Sequence, residues 1–161
     1  MTGTSNGQTV DDSFEVAVIG VGDAPVITQG AGPLTKSVLE DGTATWVSSE
    51  LNATDVDTAA GFLTWSVETN ATNGLATVSG SGSNPSPFTY VPDGNYSGND
   101  SFVVQVSDGA LTDTIIVNMT VAPVDDTPVI NDGNVTVSVT VNEDNATSFT
   151  LAILSASDVE T

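Results

Sequence analysis

The 161-residue chain carries 21 acidic residues, one basic residue (Lys36) and no histidine, so its formal net charge is −20. This charge excludes nucleic acid and anionic membrane surfaces as partners, because both are recognised through basic side chains. The absence of cysteine excludes disulfides and Cys-ligated zinc. No apolar run approaches the ~18 residues of a membrane-spanning helix, so no membrane insertion is predicted.

A sequence pattern recurs at a fixed spacing of 103 residues. Asp-Ala-Pro-Val-Ile at 23–27 returns as Asp-Thr-Pro-Val-Ile at 126–130, and Asp-Val-Asp-Thr at 55–58 returns as Asp-Val-Glu-Thr at 158–161. Self-similarity at one period indicates a tandem array of domains. The prediction is the C-terminal strand of a preceding repeat at 1–22, a complete repeat at 23–125, and strands A and B of the next repeat at 126–161.

Short β-branched segments separated by turn residues predict an all-β chain. In the N-terminal flank, a turn at 5–7 precedes a predicted strand at 14–19. The full repeat contains seven predicted strands, of which the first is interrupted by the segment from Gly30 to Pro33. This number and spacing predict an immunoglobulin/cadherin-like seven-strand Greek-key β-sandwich. Strands A to G are predicted at 26–28 with 35–39, 43–49, 62–68, 74–79, 87–91, 101–107 and 113–122.

The aromatic residues of these strands are the main candidates for the core. Large aromatic side chains usually bury, so a structural role is favoured for them over ligand stacking. Strand C is predicted to supply Phe62, Leu63 and Val67 as well as its tryptophan. The predicted aromatic core comprises Trp46, Trp65, Phe88, Tyr90 and Phe102.

Acidic residues concentrate at the two ends, or poles, of the predicted sandwich. Because the strands alternate in direction, each loop can be assigned to the N-terminal pole, where the chain enters, or to the C-terminal pole, where it leaves. The N-terminal pole collects Asp23, Asp55, Asp57 and Asp108. The C-terminal pole collects Glu40, Asp41, Asp93, Asp100, Asp125 and Asp126, and the repeat register places Asp158 and Glu160 of the next repeat opposite them.

This distribution predicts Ca²⁺ as a cofactor. Crowded carboxylates repel one another, and Ca²⁺ accepts ~6–8 oxygen ligands in irregular geometry. All the acidic residues just assigned to the two poles, including Asp158 and Glu160 but not Asp93, are candidate ligands. Mg²⁺ fits less well because it requires strict octahedral geometry, and zinc would require His or Cys ligands. The competing interpretation is a solvated charged surface, since Asp is also a favoured turn residue.

Seven segments of the full repeat carry a family resemblance: Asp-Ala-Pro at 23–25, Glu-Asp-Gly-Thr at 40–43, Leu-Asn-Ala-Thr-Asp-Val-Asp at 51–57, Leu-Thr-Trp-Ser-Val at 63–67, Phe-Thr-Tyr-Val-Pro at 88–92, Asn-Tyr-Ser-Gly-Asn-Asp-Ser-Phe at 95–102, and Val-Ser-Asp-Gly at 106–109. In this order they resemble the cadherin-like tandem repeats of large secreted bacterial adhesins, including RTX-type adhesins. The resemblance implies an extracellular, calcium-dependent sandwich that serves as a spacer or adhesive unit. Gly22 departs from it, because family linkers often carry a side-chain ligand there, which implies a weaker calcium site at the upstream junction.

The leading functional interpretation is therefore a secreted or cell-surface structural repeat that calcium rigidifies. Its partners would be the neighbouring repeats of the same chain, with cell-surface or polysaccharide ligands beyond them. The alternative is a carbohydrate-binding module, which requires Trp46, Trp65 or Tyr90 to be exposed for stacking on sugars. An enzyme is not predicted: paired carboxylates can cleave glycosides, but these lie on loop ends with no pocket evident in the sequence.

Overall fold

The computed structural model describes residues 2–5, 8–11, 13, 15–17, 20–130, 143–144 and 156–157. In this part of the chain, no helix is long and apolar enough to cross a membrane. The described elements are a 3₁₀ turn at Ala60–Phe62 and the strands β1 (Thr2–Ser5), β2 (Gln8–Asp11), β3 (Val26–Ile27), β4 (Leu34–Leu39), β5 (Ala44–Thr45), β6 (Ala53–Thr54), β7 (Thr64–Thr69), β8 (Gly74–Val78), β9 (Phe88–Pro92), β10 (Gly98–Ser107), β11 (Thr112–Ala122), β12 (Val129–Ile130) and β13 (Ala156–Ser157).

Two sheets share one hydrophobic core. The first has the order β4-β11-β10-β7, in which β4 runs parallel to β11 and the other pairs are antiparallel. The second has the order β5-β9-β8 and is antiparallel. Period-two alternation selects the core face: on β10, Phe102, Val104 and Val106 are buried at every second position. The predicted all-β, immunoglobulin-like sandwich is confirmed.

The five predicted core aromatics are all buried, and four of them form one cluster. The rings of Trp46 and Phe88 stack with centroids 4.1 Å apart, and those of Tyr90 and Phe102 stack at 5.9 Å. Phe102 also meets Trp46 edge-on at 6.1 Å, which joins the two stacks. Such stacked and edge-on arrangements add to the stability that area burial alone provides.

The predicted interruption of the first strand is also present. β3 pairs with β6, whereas β4 pairs with β11 of the larger sheet, so the chain changes partners between them. Gly30 lies in this crossing with φ +82°, a conformation that favours glycine. The amide of Ile27 donates to Oδ2 of Asp113 at 2.8 Å, which ties β3 to the start of β11.

The pairing of β12 with β13 repeats that of β3 with β6. Both pairs are antiparallel, and each residue of the later pair lies 103 positions after its counterpart in the earlier one. A turn at 143–144 likewise follows the turn at 40–41 by 103 positions. The period seen in the sequence therefore recurs in the backbone pairing.

The prediction that Phe62 belongs to the core is wrong. Its side chain is 74% exposed, while Leu63 and Trp65 are buried. Successive residues of a strand point to opposite faces, so Phe62 and Leu63 cannot both face the core. The 3₁₀ turn that precedes β7 places Phe62 on the solvent side.

Two predicted strands also differ from the structure. The N-terminal hairpin is formed by β1 and β2 on either side of the predicted turn, whereas residues 15–17 of the predicted strand have no regular structure. The strand predicted at 43–49 is limited to β5 because a turn follows it. The amide of Glu50 donates to the Val47 carbonyl at 2.9 Å, and its carboxylate accepts the Val47 N–H at 2.7 Å.

Candidate cation sites at the two poles

The N-terminal pole is organised by the loop between β6 and β7. Oδ1 of Asp55 accepts hydrogen bonds from the amides of Asp57 and Thr58, at 2.8 and 2.7 Å. Oδ2 of Asp57 accepts the amide of Asp23, in the segment that precedes β3, at 2.8 Å. These bonds bring together three of the four acids predicted at this pole.

One carboxylate oxygen at this pole is buried without a partner. Oδ2 of Asp55 makes no hydrogen bond and is closed to solvent. Desolvating a charged oxygen without a compensating contact is costly, and a bound cation removes that cost. Because Asp57 supplies a second carboxylate two residues away, the donor set suits an oxygen-seeking ion such as Ca²⁺.

Asp108, the fourth acid predicted at this pole, is engaged within its own turn. Its Oδ1 accepts the amides of Leu111 and Ala110, both at 2.6 Å. These hydrogen bonds favour the ionised form and lower the pKa of Asp108. Its hydrogen bonds thus shape the turn between β10 and β11 and do not extend to Asp55.

Glu40 dominates the C-terminal pole. It follows β4 directly and is 3% exposed. Its Oε1 accepts the amide of Val124 at 2.5 Å, and its own amide donates to the Ala122 carbonyl at 3.0 Å. A buried carboxylate therefore holds the chain where it leaves the sandwich.

Asp100 lies at a core-facing position of β10, and four hydrogen-bond donors surround it. Oδ1 accepts the amides of Ser101 and Thr72 at 2.8 and 3.1 Å, and Oδ2 accepts the amide of Asn73 and the hydroxyl of Tyr90, each at 2.9 Å. Burial alone would raise the pKa of Asp100, but these hydrogen bonds outweigh it and lower the pKa. Burial, and then the neighbouring carboxylate, raise the pKa of Tyr90. Asp100 thus fixes the loop between β7 and β8 against the core.

The other predicted ligands are more dispersed. Asp41 and Asp125 are exposed, and Asp126 is half-buried. Asp158 and Glu160 lie outside the described residues. Within those residues, no three acidic side chains converge closely enough to hold a metal ion by themselves. The ligand set therefore remains a prediction, and an ion at the N-terminal pole would need further oxygens from carbonyls, water or a neighbouring repeat.

Besides the Glu50 carboxylate, sequence reasoning missed the structural carboxylate of Asp113, which was treated only as an acid at a strand end. Besides accepting the Ile27 amide, it accepts the Thr114 amide through Oδ1 at 2.8 Å. An available signal was its position at the start of the strand that lies beside the first strand in this fold. Nothing in the spacing of the acids marked it.

The aromatic residues that sugar binding would require are inside the sandwich. Trp46, Trp65 and Tyr90 are 7%, 4% and 0% exposed. The Nζ of Lys36 lies over the Trp46 ring, 4.8 Å from its centroid. An open polar cleft of about 610 Å³ lies beside Asp100, but Asn, Thr and Ser make up most of its lining.

Comparison with known proteins identifies one matching family. The family model of the bacterial Ig domain matches residues 22–120. Among solved structures, the chain is similar to an endo-fucoidan hydrolase from glycoside hydrolase family 107, with 18% identity and a TM-score of 0.48, over 75% of this chain and 18% of that one. It is also similar to the titin domains Z1Z2 in complex with telethonin, with 18% identity and a TM-score of 0.40, over 70% of this chain and 54% of that one. No curated protein matches the chain.

Proposed function

This chain belongs to the bacterial Ig domain family, and on that premise we propose that it is a link in a tandem array of extracellular Ig-like sandwiches. Domains of this family are typically extracellular or surface-located. The observation that carries the proposal is the recurrence of the β3–β6 pairing in β12 and β13, 103 residues later. Because one domain follows another at a fixed period, the array would extend its parent protein away from the surface that carries it.

The finer proposal is that the array is a cadherin-like adhesin stalk stiffened by Ca²⁺. The buried, unpaired Oδ2 of Asp55 supports this proposal, because Asp57 supplies a second carboxylate two residues away and that carboxylate accepts the amide of Asp23 in the incoming linker. Asp55 and Asp57 would hold the ion, and Ca²⁺ would neutralise their repulsion. At the downstream junction the repeat register adds Asp125 and Asp126 to Asp158 and Glu160. That junction would therefore bind Ca²⁺ more strongly than the upstream one.

A polysaccharide-binding role is less well supported. The three aromatic residues that could stack on sugars are buried, and the exposed Phe62 is a single ring on the loop of the N-terminal pole. The polar cleft beside Asp100 offers hydrogen-bonding groups without an aromatic platform. Contacts between neighbouring repeats therefore remain the favoured role, with binding of surface ligands as the alternative.

Thermal unfolding tests the calcium proposal. The chain would be melted in EDTA, in millimolar Ca²⁺ and in millimolar Mg²⁺. Millimolar Ca²⁺ is ~1–10 times the Kd of a typical extracellular calcium module, which adds ~0.4–1.4 kcal/mol to the free energy of unfolding and raises the Tm of a domain of ~100 residues by ~2–10 °C. We expect that rise with Ca²⁺ and a much smaller one with Mg²⁺.

Asp55→Asn is the matched variant for this test. Asparagine keeps an oxygen that can accept the Asp57 and Thr58 amides, but it replaces the unpaired oxygen with an NH₂ group. The Ca²⁺-dependent rise should shrink in Asp55→Asn and persist in Glu68→Gln, which removes an exposed charge from β7. Equal rises with both ions, or no rise, would contradict the proposal.

A further inference from the structure

A carboxylate of the sandwich binds each linker of the repeat, the incoming one at Asp23 and the outgoing one at Val124. On the incoming side, the amide of Asp23 donates to Oδ2 of Asp57 at 2.8 Å. On the outgoing side, the amide of Val124 donates to Oε1 of Glu40 at 2.5 Å. Both acceptors are distant in sequence from the amides they hold, so each bond attaches a linker to the body of the sandwich.

The repeat register brings these two hydrogen bonds to the same junction. Asp126 stands 103 residues after Asp23, and Glu160 stands 103 residues after Asp57. The segment from Val124 to Asp126 would then be bound at its first amide by Glu40 of this repeat. Its last amide corresponds in the repeat register to that of Asp23, which Asp57 binds in this repeat.

We propose that Glu40 and Asp57 are positioning residues that fix the orientation of neighbouring repeats without a metal ion. In an array, one residue, Asp125, would separate the two bound amides of each junction, and Pro123 and Pro128 flank this segment with restricted φ angles. So short a segment leaves little freedom for one sandwich to rotate against the next. The inference rests on the proposed tandem array, and it assigns to carboxylate–amide bonds part of the stiffness otherwise assigned to Ca²⁺.

The burial of Glu40 makes its bond the stronger of the two. Its side chain is 3% exposed, and its own amide is also bonded, to the Ala122 carbonyl. A hydrogen bond to an ionised acceptor is about twice as strong as a neutral one. Water competes poorly for the Val124 amide at such a site, so this amide should exchange its proton slowly.

Amide hydrogen exchange, measured by NMR on the ¹⁵N-labelled 161-residue chain in EDTA, tests this proposal. We expect the amides of Val124 and Asp23 to be protected without any divalent ion. Glu40→Ala should reduce protection of Val124 by about tenfold or more and leave Asp23 unchanged, and Asp57→Ala should do the reverse. Glu40→Gln, which keeps a neutral acceptor, should restore part of the Val124 protection.

Controls separate this effect from general unfolding and from the calcium proposal. The amides of β10 and β11 should stay protected in each variant, and Glu68→Gln should change neither linker amide. Rapid exchange of Val124 in the unsubstituted chain, or protection that survives Glu40→Ala, would overturn the inference. So would protection that appears only with Ca²⁺. A missing Ca²⁺ effect on Tm together with protected linker amides would remove the calcium proposal and leave this inference standing.

Discussion

The hydrogen bonds of Asp100 give a quantitative prediction about stability. Asp100→Asn keeps one oxygen for the amides of Ser101 and Thr72 but turns an NH₂ group toward the amide of Asn73. The Tyr90 hydroxyl can rotate to accept from this group, whereas the Asn73 amide loses its acceptor. The Asn73 amide is left unsatisfied, and the remaining hydrogen bonds weaken because their acceptor is no longer charged. Together these effects should lower the free energy of unfolding by ~2–4 kcal/mol, a large fraction of the ~5–15 kcal/mol typical of a domain.

Urea unfolding at pH 7 in EDTA would measure this loss through the fluorescence of the two buried tryptophans. Tyr90→Phe is the matched control, because it removes one donor and should cost only ~1 kcal/mol. An unchanged m-value would show that the denatured state is unaffected. A loss below ~0.5 kcal/mol in Asp100→Asn would refute the structural role, particularly if a larger loss appeared with Ca²⁺, since Asp100 would then act as a metal ligand.

Three further predictions follow from burial and contacts. The folded-state pKa of Asp100 is lowered, so its stabilising contribution should be complete above about pH 4 and fall as the pH drops through the folded pKa; Asp100→Asn should flatten this part of a pH-dependent unfolding curve. By urea unfolding, Phe62→Ser should change stability by less than ~0.5 kcal/mol and Leu63→Ala should cost ~2–5 kcal/mol; similar losses would contradict the observed exposure. Gly74→Ala should lower the Tm, because its Cβ would lie 2.6 Å from the ring of Tyr90, which Asp100 holds in place; an unchanged Tm would refute that close contact.

Much of the sandwich could be predicted from the sequence because alternation and turn residues specify it locally. The strands from β7 to β11 lie within a few residues of their predicted ranges, and the aromatic cluster is buried as expected. The failures occur where non-local contacts decide the structure. Strand B ends early because the Glu50 carboxylate stabilises a turn, and β6, which lies outside the predicted strands, pairs with β3.

The candidate sites were predictable in place but not in detail. Loop positions assign an acid to a pole, yet they do not show whether its oxygens meet backbone amides or remain unpaired. Asp100 illustrates this limit: it was placed with the ligands of the C-terminal pole, whereas its carboxylate accepts four hydrogen bonds. The alternation of β10 contained a signal, since Asp100 shares the parity of Phe102 and Val104 and so faces inward.

Direct calcium titration by calorimetry tests whether the acids of the N-terminal pole form a cation site in a spacer repeat. We expect saturable binding to the EDTA-treated and dialysed chain, with a Kd in the range of ~10⁻⁴–10⁻³ M seen for extracellular calcium modules. Binding at this pole should be lost in Asp55→Asn and retained in Glu68→Gln. A titration without saturable heat, or an isotherm unchanged by Asp55→Asn, would contradict the proposed cation site and leave these acids as a charged surface without a bound ion.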